Sequence, residues 1–125
     1  MKTYKRAAFQ VLLAMCLATA PARGEELTIG WIGALTGDAA GIGNDILASL
    51  QTAVAEANSR GGIDGKKLRI IAEDDGYEVS RALTAYEKLK KEVSTKVIFA
   101  STYGALFALG TKPDRDGILV LDTLD

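Results

Sequence analysis

Histidine is missing from all 125 residues. That removes the commonest general base at neutral pH and the commonest metal ligand, so the easiest enzymatic and metal chemistries go with it. Cysteine occurs once, as Cys16, so no disulfide can form within the chain. Proline occurs only twice, as Pro21 and Pro113, and there is no internal repeat or low-complexity tract. The net charge is only −1 and the charges are interspersed. No basic stripe favours nucleic acid as a partner. No apolar run is long enough to span a bilayer.

The first residues read as a targeting signal rather than as fold. Lys2, Lys5 and Arg6 form a basic start, Ala7 to Ala18 an apolar run, and Ala20-Pro21-Ala22 a small-x-small cleavage pattern. This is the pattern of a secretory signal peptide, residues 1–22, cut after Ala22. A lipoprotein cut before Cys16 is the alternative, but Met15 is larger than such a cut usually takes. The expected mature chain, residues 23–125, has no thiol. Packing alone must hold it together in a compartment that allows disulfides.

Four short apolar runs alternate with helical patterns. Leu27 to Gly33, Leu68 to Glu73, Lys96 to Ala100 and Ile118 to Leu121 have the Ile/Val-rich character of strands buried on both faces. A first helix is expected from about Asp45 to Ser59, capped by Asn44, with Ile46, Leu50, Ala53, Val54 and Ala57 on its apolar stripe. Gly61 and Gly62 suit its left-handed end, and Asp64-Gly65 suits a tight turn. A second helix is expected from Ser80 to Val93, with Leu83, Tyr86, Leu89 and Val93 on or near one face. A third is expected over about Ala105 to Gly110. Pro113 and "DRDG" read as the turn into strand four. The βαβαβαβ order predicts an α/β fold: an open parallel sheet of order 2-1-3-4 with helices on both faces.

In such a sheet, ligands sit beyond the carboxyl ends of strands one and three, where the strand order reverses. Ala34 to Gly43 and Ser101 to Gly104 fall there. Both segments feed helix N-termini, whose free N–H groups favour an anion such as a carboxylate. Gly37, Gly41 and Gly43 allow close backbone approach, and Thr36, Ser101, Thr102 and Tyr103 add hydroxyls. An ordinary βα turn without a ligand fits the same spacing. A dinucleotide loop fits poorly, because the G-x-G-x-x-G spacing is absent, and no Walker lysine follows a suitable loop. Asp74-Asp75 has the composition of a metal pair or phosphoacceptor site. The commoner role of such a pair is to cap the adjoining turn. Asp122 either meets a ligand's amino group or caps the segment after strand four.

Several motifs occur together in order: Gly33-Ala34-Leu35-Thr36-Gly37, Glu56-Ala57-Asn58, Gly61-Gly62-Ile63-x-Gly65 and Asp74-Asp75. With them the chain resembles the N-terminal lobe of periplasmic leucine/isoleucine/valine-type solute-binding proteins, the type I receptors of ABC importers. The resemblance implies a non-enzymatic, cofactor-free receptor in the periplasm. It would close two lobes on a small polar solute, an amino acid or amide, and present it to an ABC permease in the inner membrane. By position it implies contacts from Thr102, Tyr103 and Gly104 after strand three, from Asp122, Thr123 and Leu124 after strand four, and from Ile42 after strand one. Tyr103 replaces a small serine of relatives, Ile42 an aromatic, and the family's cysteine pair is missing, so the solute need not be leucine, isoleucine or valine. Relatives are roughly three times longer, so residues 23–125 are expected to be the N-terminal part of the first lobe. A sensory ectodomain of the same fold, or a secreted enzyme using Asp74, Asp75 or Asp122, are the other readings.

Overall fold

The computed structural model describes residues 26–93 and 95–123. The expected signal peptide, Cys16 and Leu124 lie outside the described residues. In chain order the elements are β1 (Leu27–Gly33), α1 (Ala40–Ser59), β2 (Leu68–Asp74), α2 (Val79–Lys88) continued by a π-helical turn (Leu89–Val93), β3 (Val97–Ala100), α3 (Tyr103–Leu109), α4 (Lys112–Asp116) and β4 (Leu119–Asp122). The four strands form one sheet of order β2-β1-β3-β4, the order expected from the sequence. All pairings are parallel. Trp31 lies opposite Ala72 on one side and Phe99 on the other, and Ala100 lies opposite Asp122.

Alternation along the strands divides the apolar residues between two layers. Ile32 and Ile98 pack with Ala82, Ala85, Tyr86 and Leu89 of α2 and its extension, and with Ala105 and Leu109 of α3. Trp31, fully buried, faces the other way. On that side α1 lies against β2. The Asn58 side chain fixes the end of α1 to the start of β2 by accepting from Leu68 N at 2.8 Å and donating to Leu68 O at 2.8 Å. Of the expected apolar stripe, Ile46, Leu50, Val54 and Ala57 are half-buried and Ala53 is exposed, while Leu47 is the buried leucine. The α1 layer therefore covers less of the sheet than the α2–α3 layer does.

Several boundaries differ from the sequence expectation. The first helix begins at Ala40, not Asp45. Asn44 is not its cap; it sits inside the first turns and its Nδ2 donates to Ala40 O at 2.7 Å. Of the two glycines that read as loop, only Gly43 answers a packing need. A Cβ on Gly43 would lie 1.8 Å from Ala34 O, whereas a Cβ on Gly41 would meet nothing within 4 Å. The second helix ends its α-helical part at Lys88 and finishes as a π-turn. The third starts at Tyr103, two residues early, and the "DRDG" stretch is part of α4, with Gly117 left-handed at its end.

These contacts separate the two glycines experimentally. Gly41→Ala is expected to raise stability by up to about 1 kcal/mol, as a helix position gains a Cβ without a clash. Gly43→Ala is expected to lower it by about 1–3 kcal/mol, because α1 must lift off Ala34. Urea unfolding of the purified proteins measures both. Equal effects at the two positions would remove the close approach of α1 to Ala34.

Candidate functional site

Because the sheet is parallel, β1, β2 and β3 all end on one rim. Three loops leave it side by side, and an acidic pair binds them together. Asp74 Oδ1 accepts from Leu35 N at 2.8 Å, Thr36 N at 3.2 Å and Gly76 N at 3.0 Å. Its Oδ2 accepts from Thr36 Oγ1 at 2.6 Å and from Arg81 Nη2 at 2.9 Å. The hydrogen bond from Thr36 Oγ1, then that from Leu35 N, hold the Asp74 carboxyl far below the usual carboxylate range. One side chain thus pins the β1 loop to the β2 loop.

Asp75 continues the join toward β3. It is fully buried, accepts from Tyr77 N at 2.8 Å, and accepts from the Thr102 hydroxyl. Both carboxylates are occupied by the chain's own donors, so the pair caps and crosslinks turns. The bond to Tyr77 N holds that residue at φ 64°, a left-handed conformation that non-glycine residues rarely adopt. Strain of this kind persists where surrounding contacts over-determine it. Here it sets the phenol at the wall of a cavity.

The cavity has a volume of about 390 Å³ and opens between the β1 and β3 loops. Ala39, Ile42, Ile46 and Tyr77 give it apolar walls, and Asp38 and Ser101 supply polar groups. Ser101 Oγ lies 2.7 Å from Thr123 Oγ1, which ties the end of β4 to the same rim.

The expected site residues fall out differently from one another. Ile42, in the first turn of α1, is 63 % exposed and lines the cavity. Thr102 is buried with its hydroxyl on Asp75, so its side chain joins loops rather than facing the opening. Tyr103 is exposed at the start of α3, its ring edge-on to Phe107 with centroids 4.9 Å apart. Gly104 packs toward α2, where a Cβ would lie 2.9 Å from Val79 Cγ2. Asp122 ends β4, and Thr123 reaches Ser101 and the Ala100 carbonyl. Sequence reasoning missed Tyr77 and Asp38 as cavity residues. The Asp75-Gly76-Tyr77 turn was a usable signal, since a short acidic side chain commonly accepts from the N–H two residues on.

The fold and rim define the class first: an α/β lobe with a solute-sized cavity at the point where strand order reverses. Residues 26–125 match the family described as Periplasmic binding protein, and the chain belongs to that family. It is 32 % identical over 109 residues to the Leu/Ile/Val-binding protein BraC3 of Rhizobium johnstonii, covering 87 % of this chain and 30 % of that protein. It is 32 % identical over 120 residues to the Leu/Ile/Val-binding protein of Escherichia coli K12, covering 90 % and 31 %. Among solved structures, the branched-chain amino acid transporter substrate-binding protein LivJ of Streptococcus pneumoniae, in complex with isoleucine, superimposes with a TM-score of 0.71 at 25 % identity. That match covers 78 % of this chain and 28 % of that one. The chain spans about a third of the length of these curated relatives.

A second charged group joins Asp74 in setting the acid response. Lys90 Nζ donates to Asp116 at 2.9 Å and Tyr86 donates to its other oxygen at 2.9 Å. The Lys90 bond, then the Tyr86 hydroxyl and Lys112, pull the Asp116 carboxyl down to about 2. Burial, and then the bond to Asp116, push the Tyr86 phenol well above its ordinary value. Depressed carboxyls contribute stability above their unfolded values and lose it as pH falls through the folded ones. Stability is therefore expected to be level near neutrality and to fall between about pH 4 and pH 2. Asp74→Ala should cost about 2–3 kcal/mol at pH 7 and flatten that slope. Denaturant midpoints measured across pH test both, and an unchanged slope in the variant would overturn the role given to Asp74.

Proposed function

We propose that this chain forms the N-terminal part of the first lobe of a periplasmic solute receptor that serves an ABC importer. On this reading residues 1–22 are a cleaved export signal. The solute is an amino acid or related small polar molecule, and the partner is an ABC permease in the inner membrane. The chain works by binding rather than by catalysis. The observation that carries the reading is the cavity between the β1 and β3 loops, at the rim where the strand order reverses and where open parallel sheets commonly take ligands. Support for a solute of amino-acid size comes from the relatives, which are Leu/Ile/Val-binding proteins. Ile42, Tyr103 and the backbone from Thr102 to Gly104 are the proposed contacts, with Asp122 and Thr123 at the β4 end; Leu124 is proposed from the resemblance alone.

Magnitudes limit what the lobe does alone. Micromolar affinity requires about −8.2 kcal/mol. A helix N-terminus offers about 0.3–1 kcal/mol in exposed sites, and hydrogen bonds to charged groups about 1.5–3 each. Ordering and association costs are subtracted from these. With the cavity open on one side, water screens each polar contact. Closure by a second lobe dries such a site and converts binding into a change of shape.

The purified protein is therefore expected to bind L-leucine or L-isoleucine with millimolar or weaker affinity. Amide shift changes in an NMR titration should concentrate at Ile42, Gly43, Tyr77 and Tyr103. Micromolar binding would overturn the half-site reading. Saturation with solute that leaves all four amides unmoved would overturn the location of the site.

A further inference from the structure

Resting on the proposed solute site, the geometry points to a cationic rather than an anionic preference in its first-lobe wall: Asp38 takes a positively charged group of a solute whose apolar body lies between Ile42, Ile46 and Tyr77. Among the described residues, Asp38 is the one charged residue lining the cavity. Its carboxylate makes no salt bridge or side-chain hydrogen bond with any of them. The nearby cation, Arg81, lies outside the lining and is held by Asp74 at 2.9 Å.

The positive end of α1 does not reverse this sign. Asp38 stands two residues before Ala40, where an acidic side chain opposes the partial positive charge of a helix start. The Ala40 N–H already donates to Gly37 O at 3.2 Å. Of the rim hydroxyls that could serve a carboxylate, Thr102 is bonded with Asp75, Ser101 with Thr123 and Thr36 with Asp74, and Tyr103 lies outside the cavity lining. The rim thus keeps an unpaired negative charge beside an apolar wall. A zwitterionic amino acid meets this wall with its ammonium, and an amine or amidine lacking a carboxylate meets it equally well.

Three probes with one apolar body and different charge test the assignment: phenethylamine, phenethyl alcohol and phenylacetate, titrated into the purified protein by NMR. All three are expected to move the Ile42, Gly43 and Tyr77 amides. The amine should bind about two- to fivefold more tightly than the alcohol, and phenylacetate more weakly than either. Asp38→Asn should bring the amine to the affinity of the alcohol. In the unchanged protein, 0.5 M salt should shrink the amine's advantage by about half or more, which reports the charge without any substitution. Phenylacetate binding as tightly as the amine, or an amine preference that survives Asp38→Asn, overturns the charge assignment; the alcohol's shifts would leave the cavity in place as the solute site. Unmoved amides with all three probes overturn both.

Discussion

Two adjacent carboxylates hold the rim together. Loops that leave neighbouring parallel strands have no ladder to align them, so a cavity between them needs crosslinks of another kind. Asp74 supplies the first by gathering three backbone N–H groups and a hydroxyl from two loops. Asp75 supplies the second through Thr102. Burying a carboxylate is costly unless its oxygens are hydrogen-bonded, and both Asp75 oxygens are. The same pair then determines where Tyr77 stands, because the Asp75 acceptor fixes its left-handed backbone. Removing this join would leave β1, β2 and β3 paired but would free the three loops from one another.

Strand positions were legible because burial on both faces leaves a simple mark, a short run of Ile and Val between polar turns. The span of β1 agrees with the sequence expectation to the residue, and the 2-1-3-4 order follows from right-handed crossovers with helices on both sides. The start of α1 was not legible. Glycines at 41 and 43 and an asparagine at 44 argue for loop and cap by local rules, and those rules do not contain the close approach of Gly43 to Ala34. Asp74 and Asp75 were legible as turn-capping residues. Their long-range partners were not, since Leu35 and Thr36 lie 39 and 38 residues away. Thr102 shows the same limit from the other side. A hydroxyl in the right loop invites a ligand role, yet a buried carboxylate from another loop already accepts its hydrogen bond.

The two layers of the sheet are packed to different densities. On the α2–α3 side, Ile32, Tyr86, Leu89 and Ile98 are at most 1 % exposed, and the Tyr86–Asp116–Lys90 bonds close the layer with satisfied polar groups. On the α1 side, most of the helix stripe is only half-buried. An apolar groove of about 540 Å³ bordered by Ile29, Val97 and Phe99 stays open, and Leu119 and Leu121 are exposed along β4. Trp31 belongs to this side, and its Nε1 is buried with no hydrogen-bond partner among the described residues. An unpaired buried N–H costs about 1–3 kcal/mol, which a densely satisfied layer avoids.

The looser layer is also the one that carries the cavity. Ile42, Gly43 and Ile46 all belong to α1, so any small shift of that helix relative to β1 changes the shape of the opening. Gly33 allows the Trp31 indole to lean toward the rim, since a Cβ there would lie 2.5 Å from Trp31 Cζ2 and 3.0 Å from Ser101 Cβ. One wall of the cavity is thus a helix with few buried residues, and the other is a tyrosine held by a buried carboxylate. Regions with few buried apolar contacts open at lower free energy than the core, and binding elements are drawn from them. In this lobe the dense core lies on one face of the sheet and the less buried helix on the other.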